Sequence, residues 1–377
     1  MNYTRKEVNM LIKPSSLCNL RCKYCFYSDA SPKRVLHGGG LMTEETLETV
    51  VREAFSTSVR HVMFAFQGGE PTMAGLAFFK RFTELESQYK PSGVTVERSI
   101  QTNGTLLDAQ WADYFNENSF LVGVSLDGNK ALHNMNRVDS VGAETFNKVT
   151  AALELLKRKN VSTNILCVVT GPLSRRAQSI YEQLKNNGYR YLQFIPCLDP
   201  SEQERGNETY SLTPGRYAVF LKTLFDQWYN DCKRGDYVSI RLFEDYVHML
   251  AGRAASSCAT SGTCGGYFTI ESDGAVYPCD FYTIDKWRIG TVGEASLQEI
   301  AQSEKAKAFI SESSKYLDSC SHCKYFYICR GGCRRDRLSA GGVAYNYYCS
   351  AYIEFFDYAI ERLKLLVASI DRKMGCH

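Results

Sequence analysis

The chain is 377 residues long and 44% hydrophobic, with 44 Lys and Arg against 41 Asp and Glu for a formal net charge of +3. That length and apolar content supply a large core or two domains, and the near-balanced charge gives no basic face of the kind a dedicated nucleic-acid binder carries. The start, Met1-Asn-Tyr-Thr-Arg-Lys-Glu-Val8, has no apolar h-region, and no stretch reaches the roughly 18 uncharged apolar residues of a membrane span, so a cytoplasmic protein without a membrane partner is expected.

From residue 8 to about 198, short apolar segments alternate with longer amphipathic ones. Strands are predicted at Val8–Lys13, His61–Gln67, Val94–Gln101, Leu121–Leu126, Asn164–Thr170 and Tyr191–Pro196. Helices are predicted between them at Glu44–Ser56, Leu76–Tyr89, Asp108–Asn118, Glu144–Lys159 and Arg175–Asn186. This is the βαβ pattern of a parallel sheet. Six such strands predict an α/β fold built as an open, partial (β/α)6 barrel, whose chemistry collects at the C-terminal strand ends. Polar motifs stand at those ends: a cysteine loop after the first strand, Gln67-Gly68-Gly69-Glu70-Pro71 after the second, Gln101-Thr102-Asn103-Gly104 after the third and Ser125-Leu126-Asp127-Gly128 after the fourth.

From about Thr213 the pattern changes. Pro214–Lys233 and Leu242–Ala251 read as helices. A cysteine-rich segment follows with a hairpin, Tyr267–Ser272 and Ala275–Pro278 around the strong turn signal Asp273-Gly274. Tyr345–Arg372 reads as a last amphipathic helix, with the aromatics Tyr345–Tyr348, Phe355 and Phe356 as its core face. The expected domains are a barrel over 1–212, a helical connection over 213–257, and a cysteine-rich domain with a C-terminal helix over 258–377. His61, before a strand, and His133, on an expected loop, have no ligand-like neighbours in the sequence.

Fifteen cysteines in a reducing compartment do not read as a disulfide framework. Three stand near the start and eight lie between Cys258 and Cys349, which is metal-site clustering. Cys167, Cys197, Cys232 and Cys376 are scattered and receive no metal role; Cys167, inside an apolar run, reads as a buried structural thiol.

Cys18-Asn-Leu-Arg-Cys22-Lys-Tyr24-Cys25 puts three thiolates on one tight loop. A cubane cluster normally takes four thiolates, so three leave one iron open to another ligand. A zinc knuckle would want a fourth Cys or His inside the loop, and none is there. The loop resembles the radical S-adenosylmethionine (radical SAM) superfamily, whose fourth iron is chelated by the amino and carboxylate groups of the cofactor. Gly68-Gly69-Glu70-Pro71 is similar to that superfamily's motif contacting the cofactor's methionine amino group. The resemblance implies that Ser125, Asp127 and Arg137 serve the ribose and the carboxylate, and that Tyr24 lies near the adenine.

The C-terminal cysteines run Cys258-x5-Cys264-x14-Cys279, then Cys320-x2-Cys323-x5-Cys329-x3-Cys333, then Cys349. Eight thiolates make two full sets of four, which suit zinc and iron–sulfur alike. The pattern resembles the SPASM extension, which houses two auxiliary 4Fe–4S clusters. That resemblance implies Cys258, Cys264, Cys279 and Cys333 for the first cluster, and Cys320, Cys323, Cys329 and Cys349 for the second. Full ligation would suit both to electron transfer rather than substrate binding.

Asp280 follows Cys279 directly, so a carboxylate stands beside an expected electron acceptor. A base in such a place can take a proton while an electron leaves. Here the resemblance narrows to the anaerobic sulfatase-maturating enzymes, carried by Cys18–Tyr27, Phe64–Thr72, Gln101–Leu106, Ser125–Gly128, Leu192–Pro200 and Val276–Gly290. It implies Asp280 as catalytic base, Tyr27 and Gln67 lining the substrate pocket, three 4Fe–4S clusters, and S-adenosylmethionine. The implied reaction oxidises a Cys or Ser in a sulfatase polypeptide to Cα-formylglycine. The implied partners are an unfolded sulfatase chain with a Cys/Ser-x-Pro-x-Arg motif and a low-potential donor such as flavodoxin or ferredoxin. Two other readings stand beside it: a SPASM maturase that makes thioether or carbon–carbon cross-links in a ribosomal peptide, and a zinc-bound scaffold protein.

Overall fold

Twelve strands form among the described residues, which in this computed structural model are 7–30, 40–56, 59–200, 203–313, 315, 318–340 and 343–374. They are β1 (Glu7–Ile12), β2 (His61–Phe66), β3 (Thr95–Thr102), β4 (Phe120–Ser125), β5 (Thr163–Val169), β6 (Tyr191–Pro196), β7 (Ser239–Ile240), β8 (Phe268–Ile270), β9 (Ala275–Tyr277), β10 (Gly290–Thr291), β11 (Arg337–Ala340) and β12 (Val343–Asn346). The chain divides into two compact units. The first holds residues 1–126, 133–164 and 264–312, and the second holds 127–132, 165–263 and 313–377.

In the first unit, β1, β2, β3 and β4 run parallel in that order. On the other side of β1 lies β8, also parallel, followed by β9 and β10 in antiparallel pairing. The hairpin after Ile270 therefore extends the sheet that carries the cysteine loop. Along β2 buried and half-buried residues alternate, with Val62, Phe64 and Phe66 inward. Their partners are Phe79 and Phe82 on helix Leu76–Tyr89, one turn apart on its inner face. The rings of Phe66 and Phe82 meet edge to face at 4.8 Å, and those of Phe66 and Phe79 at 5.0 Å. Each fully buried ring contributes about 1.5–3 kcal/mol. Helix Ala109–Glu117 starts where Asp108 accepts from the Trp111 amide, an N-cap bond.

The second unit pairs β5, β6 and β7 in parallel. Helix Pro214–Arg234 begins on a proline at its first position and ends on Gly235 in the left-handed region, φ 77°. It packs on helix Arg241–Leu250 and on the long helix Cys349–Met374 through Phe225, Trp228, Phe243 and Phe355. Phe355 and Phe356 are buried there, as expected of a core face. The helix itself starts later than the sequence suggests. Val343–Asn346 is a strand paired with β11, so Tyr345 is not helical. Asn346 explains the break. Its side chain donates to the Gly331 carbonyl at 3.0 Å and accepts from the Tyr348 amide at 2.8 Å, a local alternative to helical bonding. His133 lies on helix Lys130–Asn136 rather than on a loop, buried against Thr145 at 3.1 Å. Cys167 is buried in β5, as expected, and Cys376 lies outside the described residues.

Candidate active site

The cysteine loop leaves β1 at Lys13 and is tied down by its neighbours in the first unit. The Arg21 amide donates to the Val138 carbonyl at 2.7 Å, and the Lys23 amide to the Asn136 carbonyl at 3.1 Å. Asn103, after β3, donates to Asn19 at 2.9 Å, and Asn19 donates to Thr105 at 2.8 Å. The loop thus holds Cys18, Cys22 and Cys25 half-buried just before helix Phe26–Ala30. Burial pushes the Cys18 thiol up to about 11, against a bond from the Leu20 amide. Such a sulfur sheds its proton only when something cationic replaces it, as iron does. Three thiols on one short loop fit a cluster that keeps one iron open.

Arg137 reaches the same loop. Its Nη1 is 3.9 Å from Cys22 Sγ and its guanidinium lies 5.4 Å from the Tyr24 ring centroid. Both residues are nearly buried. A cation beside a flat aromatic face suits a ligand with an anionic group and a purine.

Gly68 and Gly69 have φ of 88° and 45°. A Cβ on Gly69 would stand 2.3 Å from the Leu17 carbonyl oxygen, in the approach to the cysteine loop. The pair is glycine because the chain passes over itself here. Glu70 is a strut. Its Oε1 accepts from the Thr72 amide and hydroxyl and from the Thr102 hydroxyl, and its Oε2 accepts from the Asn103 amide at 2.7 Å. Burial pushes this carboxyl up while those four bonds oppose the shift. Its oxygens are consumed inside the protein, so what this segment offers a ligand is backbone.

Gln67 is half-buried at the end of β2, its amide on the Ile12 carbonyl at 2.9 Å. Ser125 Oγ accepts from Gln101 at 3.2 Å. In the second unit, buried Asp127 accepts from the Val168 amide at 2.9 Å and so braces its loop on β5.

The β8–β9 hairpin carries Asp280 into the first unit beside the loop's own helix. Phe281 meets Phe26, the residue after Cys25, with ring centroids 4.6 Å apart. Asp280 is buried; its Oδ1 accepts from the Tyr267 hydroxyl at 2.8 Å and lies 3.7 Å from Cys279 Sγ. Cys279 is packed with Trp287 and Phe309, and Cys264 lies against that cluster. Tyr27 is also buried, its hydroxyl donating to Glu271 at 2.7 Å. Tyr267, Glu271, Lys13 and Asn103 were not singled out from the sequence. The Gln-Thr-Asn-Gly-Thr motif contained Asn103, but nothing local marked the other three.

In the second unit Cys320, Cys323, Cys329 and Cys349 line one cavity of about 310 Å³ together with Tyr325, Phe326, Ile353 and Phe356 and the polar Lys324 and Asn346. The cavity fits a cluster. Cys258 stands exposed at the start of a short helix, and Cys333 Sγ accepts from the Arg335 amide at 3.4 Å. No helix among the described residues is long and apolar enough to cross a membrane.

A radical SAM superfamily model matches residues 12–184, and an iron–sulfur cluster-binding domain model of the SPASM type matches 262–324. A cysteine-type anaerobic sulfatase-maturating enzyme of Clostridium perfringens (strain ATCC 13124) is 46% identical over 359 residues, covering 94% of this chain and 97% of the relative. A serine-type anaerobic sulfatase-maturating enzyme of Klebsiella aerogenes is 33% identical over 354 residues, covering 93% and 84%. The solved structure of native anSMEcpe with bound AdoMet and Cp18Cys peptide matches with TM-score 0.92 at 45% identity, covering 97% of this chain and 99% of that one. These matches give the expected fold class, an α/β partial barrel with a cysteine-rich C-terminal extension.

Proposed function

The chain belongs to the anaerobic sulfatase-maturating enzymes of the radical SAM superfamily, and on that premise we propose that it oxidises a peptidyl cysteine of a sulfatase to Cα-formylglycine with Asp280 as base. The observation that carries this reading is the Phe26–Phe281 contact at 4.6 Å, which joins the segment after Cys25 to the segment after Asp280. The cofactors are 4Fe–4S clusters and S-adenosylmethionine. Cys18, Cys22 and Cys25 would hold the first cluster, Cys258, Cys264, Cys279 and Cys333 the second, and Cys320, Cys323, Cys329 and Cys349 the third, as the family resemblance implies.

When bound, these groups would supply radical chemistry for removal of a hydrogen atom from the target Cβ and an acceptor for the second electron. The chain's own residues do the rest. Gly68, Gly69 and the main chain at Glu70 take the cofactor's amino group. Arg137, Ser125 and Asp127 serve its carboxylate and ribose, and Tyr24 its adenine. Tyr27 and Gln67 line the peptide pocket. Tyr267 holds Oδ1 of Asp280, and Oδ2 takes the thiol proton. Loss of two hydrogens leaves a thioaldehyde, which water hydrolyses to the aldehyde with release of hydrogen sulfide.

The substrate is an extended Cys-x-Pro-x-Arg segment and the donor a flavodoxin or ferredoxin. Cysteine is preferred over serine, because the relatives of cysteine type are the more similar. The test is anaerobic incubation of reconstituted enzyme with such a peptide, read by mass. Formylglycine formation removes sulfur and two hydrogens and adds one oxygen. A cross-link removes two hydrogens alone, and that result would replace this reading with peptide cross-linking.

A further inference from the structure

Lys13 and Glu271 form an ion pair with both side chains fully enclosed, Nζ to Oε1 3.4 Å. Lys13 follows β1 and Glu271 follows β8, which are neighbours in one sheet. The pair therefore sits at the strand ends from which the cysteine loop departs. Two charges stripped of water cost more than their attraction returns unless further groups use them. Here Tyr27 uses both. Its hydroxyl donates to Glu271 Oε2 at 2.7 Å, and Lys13 Nζ stands 4.0 Å from its ring centroid. The ring is gripped at its edge by a carboxylate and on its face by an ammonium. Gly68 closes the space behind. A Cβ there would lie 2.3 Å from Lys13 Cδ.

We propose that the Lys13–Glu271 pair is a positioning device that fixes Tyr27 in the peptide pocket and makes its phenolic oxygen an acceptor only. This rests on the reading of Tyr27 as a pocket residue given above. A phenol has one O–H, and a carboxylate paired with an ammonium only accepts. With that hydrogen given to Glu271, the oxygen can meet the peptide only as an acceptor. The group it meets must be a donor, and since the thiol hydrogen goes to Asp280, that donor is a backbone N–H beside the target cysteine. A peptide carbonyl is refused at this position.

The test measures equilibrium binding of a fluorescein-labelled Cys-x-Pro-x-Arg peptide to anaerobically reconstituted holoenzyme with S-adenosylmethionine and no reductant, so that no turnover occurs. Lys13→Met/Glu271→Leu removes both charges of the pair together, a replacement that folds are known to tolerate. It should weaken the peptide about three- to tenfold, the worth of one hydrogen bond. Tyr27→Phe should do the same, and the triple variant should bind no worse than Tyr27→Phe, because both changes remove one interaction. In turnover the loss should fall on KM more than on kcat. Lys13→Met/Glu271→Gln, which keeps an acceptor for the phenol, should recover most of the affinity. Three results would overturn the inference: wild-type affinity in Lys13→Met/Glu271→Leu with only a lower melting temperature, a triple variant whose loss is the product of the two, or no recovery with Gln. Unchanged affinity in Tyr27→Phe overturns it as well, and with it the placement of Tyr27 in the pocket.

Discussion

The Tyr267 hydroxyl donates to Asp280 Oδ1 at 2.8 Å, while Oδ2 of the same carboxylate makes no hydrogen bond among the described residues. A buried acid with one oxygen held and the other open is aimed. Cys279 Sγ also lies near Oδ1, at 3.7 Å, but as the proposed cluster ligand that sulfur would have no hydrogen to give. Restraint of the carboxylate therefore falls to Tyr267.

Asp280→Asn keeps the shape and the bond from Tyr267 but cannot take a proton. Formylglycine formation should fall by about 10²–10⁴, with iron content and cleavage of S-adenosylmethionine retained. Tyr267→Phe leaves the base present but unrestrained, so its loss should be smaller, about tenfold or less. It should also release more 5′-deoxyadenosine per formylglycine formed. Iron, nucleoside and product measured on one preparation separate these effects. Normal product formation by Asp280→Asn, with its iron intact, would end the assignment.

Glu70→Gln distinguishes a strut from a ligand. Glu70 Oε2 accepts from the Asn103 amide, and Asn103 in turn donates to Asn19 in the cysteine loop. An amide group placed there sets a donor against a donor. The cost should be about 1–3 kcal/mol, seen as a lower denaturation midpoint. Unchanged stability combined with weaker S-adenosylmethionine binding is the opposite pattern, and it would return Glu70 to a direct side-chain contact with the cofactor.

Local spacing carried far in this chain. Helix Leu76–Tyr89 and strand Tyr191–Pro196 have the bounds read from periodicity, and the other five barrel strands lie within a residue of theirs. The cysteine sets were visible because ligands to one metal group recur at short intervals. What stayed hidden depends on parallel register and distant pairing. Glu70 finds Thr102 and Asn103 only because β2 and β3 end side by side. Lys13 and Glu271 lie far apart in the chain and meet only because β8 returns to pair with β1. Tyr345 fits a helical period with its aromatic neighbours, while the side-chain bonds of Asn346 that stop the helix have no periodic signature.

Arg137→Lys keeps a positive charge and loses the plane. The guanidinium lies 5.4 Å from the Tyr24 ring and 3.9 Å from Cys22 Sγ. A flat, forked cation can face an aromatic ring and a carboxylate at once, and an ammonium cannot. Binding of S-adenosylmethionine to the reconstituted enzyme should weaken about tenfold, with iron content unchanged, as read by equilibrium dialysis. Affinity equal to wild type would remove Arg137 from the cofactor site.

Metal content tests the cysteine sets separately. Three cubane clusters predict about twelve irons per chain. Replacing Cys18, Cys22 and Cys25 with Ala should leave roughly two thirds of that iron and abolish cofactor cleavage, since the other sites keep their ligands. Cys329→Ala should act in the opposite place. Burial pushes the Cys329 thiol up to about 12, opposed by the Gly331 amide and raised further by Cys349, Cys320 and Cys323. The Cys349 thiol is likewise pushed up by burial, so these two thiols beside the cavity of about 310 Å³ are poorly placed to ionise without metal. A metal group held there would replace thiol protons, so its binding would contribute to folding. Cys329→Ala should lose about a third of the iron and lower the melting temperature, yet still cleave S-adenosylmethionine, because Cys18, Cys22 and Cys25 belong to the other unit. Full iron in Cys329→Ala would remove this set from the cluster assignment. Stoichiometric zinc with little iron in the wild-type chain would favour a scaffold over an enzyme.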